Sequence, residues 1–294
     1  MRSLTLGSAL ALASLATAAP SLTHAQAADP AQFTQAANTD KPDEVLDWNL
    51  SAGGVFASGN TRSWTLNAGT AFKLVRGRHG FSLTWGLAYG RADLTPNDDA
   101  TDYEDTVRNS NARARYDFYL TKMDALFAAV AHRWDTFAGL DTRLQGQVGY
   151  LRNIFAEENH RLWGEVGYDL TWDNFDPDPL LDPDDPTIVL DGTQIVHAAR
   201  GYLGYDNQLN ENVHFTTGVE ALFNLQEGRD VRVNFDAALQ ASLIGSLSLE
   251  LKFKMLFDNV PVPGKVETDT LTTVNLVYTL VHDDAPTAEE GAEE

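Results

Sequence analysis

Between Asp47 and His282, apolar side chains alternate with polar or small ones in stretches of about ten to fifteen residues. Phe81, Leu83, Trp85, Leu87 and Tyr89 interleave with Ser82, Thr84, Gly86, Ala88 and Gly90. Leu247, Leu249, Leu251, Phe253, Met255 and Phe257 interleave with Ser248, Glu250, Lys252, Lys254 and Asp258. A period of two puts successive side chains on opposite faces of an extended chain, whereas a helix would scatter them round its circumference. The pattern predicts twelve strands, near 47–57, 62–75, 80–92, 107–120, 124–136, 142–154, 161–173, 194–206, 212–225, 230–243, 246–258 and 268–281. Strands of soluble proteins run to about five or six residues. A tilted strand that crosses a membrane needs about nine to eleven. The length of these segments points to the second kind.

The connections alternate too. Those near 76–79, 121–123, 155–160, 207–211 and 244–245 are short, and the two longest, 93–106 and 174–193, fall on the opposite side together with 259–267. Short turns at one end and long loops at the other are the habit of an outer-membrane barrel, with the short turns in the periplasm. Only Ser58 to Thr61 reads as a short outer connection. An even number of strands returns both chain ends to the periplasm.

Alternation alone does not say which face is inside. A twelve-stranded ring is too wide to fill with side chains in the way that about eight strands can. Charge at mid-strand supplies the direction: Arg113, Arg115, Asp117, Glu165, Asp169, Glu220, Asp236, Glu250 and Lys252 share the polar face. The aromatics of the apolar face, among them Trp48, Trp64, Trp134, Tyr150, Tyr168, Trp172, Phe223, Phe257 and Tyr278, gather toward strand ends, as interfacial girdles do. The expected fold is all-β, a transmembrane antiparallel up-and-down barrel with its apolar face in lipid.

Composition changes this picture in three places. Acids outnumber bases 42 to 21, the net charge is −21 and the mean hydropathy is −0.27, figures that suit a soluble acidic protein at first sight. A barrel shows lipid only every second residue, so its mean stays modest. The acid excess is also local: two outer loops (Asp93, Asp98, Asp99, Asp102, Glu104, Asp105; then Asp176, Asp178, Asp182, Asp184, Asp185, Asp191) and the tail from Asp283 to Glu294 hold 18 of the 42 acids and no base. So negative a chain repels phosphates, and no nucleic acid partner is expected. Absence of cysteine excludes disulfides, thiol catalysis and cysteine metal sites. At the amino terminus, Arg2, the apolar run Leu4 to Ala18 and Ala25-Gln26-Ala27 read as a signal peptide over 1–27. A flexible periplasmic lead-in over 28–46, a barrel over 47–282 and an acidic disordered tail over 283–294 complete the expected organisation.

Four strings in order carry a family likeness: Ser58-Gly59-Asn60-Thr61; Ala114-Arg115-Tyr116-Asp117-Phe118-Tyr119-Leu120; Arg133-Trp134-Asp135-Thr136-Phe137-Ala138-Gly139-Leu140-Asp141; and Asp258-Asn259-Val260-Pro261-Val262-Pro263-Gly264 before Thr268-Asp269-Thr270 and Leu276-Val277-Tyr278. Over about 55–282 the chain resembles the salt-induced outer-membrane protein family, the domain of unknown function numbered four-eight-one. The resemblance implies an outer-membrane barrel without an established activity, and its name implies a link to salt stress. One departure is the closing segment, Tyr278-Thr279-Leu280-Val281, which carries leucine where relatives end on an aromatic residue.

The candidate chemistry is of three kinds. Arg113, Arg115, Asp117, Arg133, Arg143, Glu165, Asp169, Glu220, Arg232, Asp236, Glu250 and Lys252 are expected to form a charged lumen wall, opposite small residues of the first three strands such as Ser51, Gly53, Gly69 and Ala71. Such a wall serves either a narrow selective pore or a paired network that plugs the barrel, since buried charge must be paired. Asp98, Asp99, Asp102, Asp182, Asp184 and Asp185 are candidates for divalent cations, which take carboxylate oxygens; their spacing matches no EF-hand or aspartate-rich repeat, and hydrated repulsive loops explain them as well. The alternative of a lipid-modifying enzyme on the same scaffold would need a serine beside His132 or His197 and a third orienting group. No cofactor is expected. The expected partners are outer-membrane lipids, lipopolysaccharide and, during biogenesis, the barrel-assembly machinery.

Overall fold

A computed structural model of the chain describes residues 45–58, 62–93, 103–137, 139–157, 159–175, 192–261 and 266–283. The expected signal peptide, the lead-in before Val45, most of the two acidic loops and the tail beyond Asp283 lie outside the described residues. The strands are β1 (Val45–Ala57), β2 (Arg62–Arg76), β3 (His79–Asp93), β4 (Tyr103–Tyr119), β5 (Asp124–Asp135), β6 (Leu140–Ala156), β7 (His160–Phe175), β8 (Thr193–Asn210), β9 (Val213–Asn224), β10 (Val231–Ile244), β11 (Leu247–Asp258) and β12 (Thr268–Asp283). Each pairs antiparallel with its neighbours in sequence, and β1 pairs with β12, so the sheet closes into a barrel with no edge. Closure is what lets a sheet sit in lipid, where an unpaired backbone group has no water to turn to.

Several strands run past the alternating pattern that announces them. β8 continues to Asn210 through Asp206, Asn207 and Gln208, because the ladder with β9 persists after the apolar alternation has ended. β4 starts at Tyr103, pairing with β3 across a register shift at Gly90/Arg91. Two-residue turns close β2–β3 and β10–β11, and Gly77 and Gly245 supply the positive φ (55° in each) that such turns demand. The outer connection at 136–139 proves as short as the first one, since β6 already begins at Leu140.

Side-chain direction follows the period of two. Every strand turns large apolar groups outward, among them Leu50, Leu66, Phe81, Tyr116, Val130, Val148, Val166, Leu203, Val219, Leu239, Leu251 and Val274, and all of these are exposed. An apolar belt that runs the whole way round far exceeds the patch a soluble monomer shows. The wall therefore faces lipid, and the barrel is transmembrane. The buried side chains lie on the inner face, and the polar ones among them outnumber the apolar ones.

Candidate functional site

Inside the barrel the residues sort into layers along the axis. At the end carrying the short turns, the strands lose their alternation: Leu126-Phe127, Tyr150-Leu151, Leu162-Trp163 and Tyr202-Leu203 are adjacent apolar pairs. One member of each points inward. Phe127, Leu151, Trp163 and Tyr202 pack with Val75, Tyr119 and Ala125 into an apolar cluster within the lumen. Glycines on neighbouring strands make room. Trp163 lies opposite Gly204 and Phe127 opposite Gly149 in the ladders, and a Cβ on either glycine would run into the facing ring.

Arginines flank this cluster on both sides along the axis. The Arg115 guanidinium lies 4.2 Å from the Phe127 ring centre, Arg200 lies 5.4 Å from the same ring, and Arg161 lies 4.2 Å from that of Trp163. Arg115 and Arg200 then lead into the ionic middle of the barrel. Arg115 Nη2 meets Asp117 at 2.8 Å, and its Nη1 meets Glu165 at 2.8 Å. Arg200 Nη1 holds the other Glu165 oxygen at 2.7 Å, and its Nε reaches Glu220 at 2.5 Å. Asn234 donates to Glu220 at 2.8 Å. A second chain runs from Arg113 to Gln147 at 2.7 Å and from Gln147 to Asp169 at 2.8 Å, with Gln145 and Thr171 also donating to Asp169. These groups are almost wholly removed from solvent: Arg115 is 4% exposed, Glu165 4%, Asp169 1% and Glu220 2%. Charges so buried are tolerable because Arg115, Glu165, Arg200 and Glu220 pair with one another and Asp169 accepts from three neutral donors.

Nearer the long loops, Arg143 forms a two-pronged pair with Asp173 at 2.6 and 2.7 Å. Arg232 lies between Asp173 and Asp258, and Arg133 meets Asp135 at 3.0 Å. The ionic wall thus covers β4 to β11. On its far side Asp236 faces Lys254 in the ladder, Lys252 is buried, and Glu250 accepts from Asn275 at 2.9 Å.

The opposite arc is built differently. The middle inward positions of β1 and β2 carry Asn49, Ser51, Gly53, Asn67, Gly69 and Ala71, with Asp47 and Lys73 facing each other toward the short-turn end. These stay half-exposed, and Ala71 is exposed, although they point into the lumen. Asn67 on β2 donates to Asn275 on β12 at 2.6 Å, reaching across the intervening β1. The clasp passes over Gly53, where a Cβ would collide with the Asn275 side-chain oxygen Oδ1.

All twelve charged residues expected on a lumen wall lie on inward positions of their strands, and the structure joins Arg113, Arg115, Asp117, Glu165, Asp169 and Glu220 into two adjoining networks. Arg133, Arg143 and Arg232 belong to the layer nearer the long loops. Sequence reading missed the aromatic cluster, the bridging amides Gln145, Gln147 and Asn234, and the Asn67–Asn275 clasp. The doubled apolar pairs at the short-turn ends were the available signal for the first of these. Asp98, Asp99, Asp102, Asp182, Asp184 and Asp185 lie outside the described residues, and among the described residues no three His, Asp or Glu side chains are arranged to hold a metal ion. His197 faces outward and is hydrogen-bonded to the Tyr168 hydroxyl. His132 sits on the lipid face, level with Ala112 and Leu144 in the ladders.

Comparison with known proteins adds the family. The model described as "Protein of unknown function, DUF481" matches residues 50–280, most of the chain. The chain belongs to this family. A relative in Escherichia coli (strain K12), the "Uncharacterized protein YdiY", is 27% identical over 255 residues, covering 86% of this chain and 91% of its own. Among solved structures, the NanC porin is matched at 10% identity over 80% of this chain and 100% of that one, with a TM-score of 0.45. An outer membrane channel from Pseudomonas putida F1 is matched at 12% identity over 86% and 99%, with a TM-score of 0.44.

Proposed function

We propose that this protein is a non-catalytic barrel of the bacterial outer membrane that admits ions and small polar solutes through one side of its lumen. The route runs along the inner faces of β1 and β2, between the thin arc and the ionic wall. One observation carries the reading: the mid-strand inward residues of β1 and β2 keep solvent access while most of those on the opposite wall are buried. A network that merely filled the barrel would bury both sides. Paired charges hold the wall rigid, and small side chains leave the facing strip open. A narrow passage beside fixed charges discriminates among ions by charge and size.

Planar-bilayer recording of the purified protein tests this. Wild type is expected to give small discrete currents, and Ala71→Trp, which adds an indole to the open side, is expected to suppress them. No current from wild type at any ionic strength sinks the permeation reading, and currents unaltered by Ala71→Trp sink the route.

A further inference from the structure

The lipid face carries a groove of about 440 Å³ toward the short-turn end of β6 to β9. Its origin lies in sequence and register. Two ladders cross it: Tyr150, Val166, Gly201 and Ala221 stand side by side in one, Arg152, Gly164, Leu203 and Val219 in the next. At Gly164, Gly201 and Ala221, on three neighbouring strands, the wall presents a hydrogen or a methyl group. The neighbouring Tyr150, Ile154, Val166, Leu203 and Val219 stand up around them as banks. A Cβ at Gly201 would meet nothing within 4 Å, so no packing requirement explains this glycine. The surface left between the banks is almost entirely apolar.

The groove ends at charge. Arg152, at its short-turn end, is 61% exposed and pairs with Asp124 at 2.8 Å. The Tyr150 hydroxyl donates to the same carboxylate. By the convention of outer-membrane barrels this end is periplasmic, so the groove opens on the phospholipid leaflet. A cation and an anion side by side, above an apolar trough, complement a headgroup with a phosphate and an ammonium above an acyl chain.

We infer that this groove binds one zwitterionic glycerophospholipid. An acyl chain lies along Gly164 and Gly201, the phosphate engages the Arg152 guanidinium, and the ammonium engages Asp124. Guanidinium suits a phosphate because its donors match the oxygens in pairs. The site is independent of whether the lumen conducts.

Native mass spectrometry of the full chain, exchanged into mixed micelles with equal phosphatidylethanolamine and phosphatidylglycerol, reads the site directly. Wild type is expected to retain a phosphatidylethanolamine in preference to phosphatidylglycerol. Gly201→Leu fills the trough and should lower that retention roughly tenfold, a change of about 1.4 kcal/mol. Gly146→Leu, a matched substitution on the lipid face outside the groove, where a Cβ also meets nothing within 4 Å, should leave it unchanged. Arg152→Gln should abolish the headgroup preference. Heat-modifiable migration in a denaturing gel verifies that each variant is a folded barrel; if Gly201→Leu fails to fold, Ala221→Phe fills the trough from its other side. Equal retention by groove-filling and control variants, or a wild-type preference for phosphatidylglycerol, overturns the proposal.

Discussion

The two sides of this lumen solve the same problem in opposite ways. From β4 to β11 the inner wall carries long charged side chains that bury one another. Along the middle of β1 and β2 it carries glycine, alanine, serine and asparagine, and keeps solvent access. A charge inside a barrel must be matched by a partner or by water. The ionic wall uses partners, so its geometry is fixed. The thin arc has little to match and leaves its space to solvent. Fixed and wet surfaces facing each other are what a selective passage requires, whereas two walls of either kind would give a plug or an undiscriminating hole.

The comparison breaks most sharply at Glu165, which holds Arg115 and Arg200 with separate oxygens. Glu165→Gln removes the carboxylate that two buried guanidiniums share and leaves Arg115 to Asp117 and Arg200 to Glu220 alone. We expect a loss of about 3–5 kcal/mol, read as a lowered urea midpoint for the barrel refolded in lipid vesicles. A cost below 1 kcal/mol would mean that water reaches this wall as freely as the other.

The next contrast is between faces. Leu251 is 48% exposed and points into lipid, so Leu251→Arg should cost roughly 2–4 kcal/mol near the midplane. Ala71 is exposed but points into the lumen, and Ala71→Arg should cost far less in the same unfolding assay. Ser248, also inward, makes a poor control because it is buried. Equal costs at Leu251 and Ala71 would sink the assignment of faces.

The fold was legible in the sequence because the period of two is a consequence of backbone geometry and owes nothing to distant contacts. The ionic wall was legible for a related reason: a charged residue at mid-strand, such as Arg115 or Asp169, has only one tolerable side in a membrane. Its pairing was not legible. That Glu165 on β7 meets Arg115 on β4 depends on how the ring closes and on where long side chains cross it. Trp163 and Phe127 were hidden differently, since an aromatic residue suits the lipid interface and a packed interior equally well. In the structure the register sets each ring over a glycine and both turn inward. The Asn67–Asn275 clasp joins strands from opposite ends of the chain, and the local pattern holds no trace of it.

The aromatic cluster yields a test of intermediate size. Gly204→Ala puts a methyl group against the Trp163 ring, which is 1% exposed and cannot retreat. Overpacking of this kind costs about 1–3 kcal/mol, and the shift should appear in tryptophan fluorescence as well as in the urea midpoint. A silent substitution would show that the cluster is loosely packed and cannot act as a fixed floor for the lumen.

The smallest effect is expected on the thin arc, and it separates structure from passage. Asn67→Ala removes a half-buried hydrogen bond to Asn275, while Asn275 keeps its bond to Glu250. The loss of stability should be about 0.5–1.5 kcal/mol, well below that for Glu165. If solutes pass between the thin arc and the ionic wall, removing this amide widens the passage, and single-channel conductance should rise although the barrel is slightly weaker. Removing Glu165 weakens the barrel far more without opening the wet side. Conductance and stability therefore move apart between these two variants. A conductance that falls in Asn67→Ala in step with stability would place the route somewhere other than along β1 and β2.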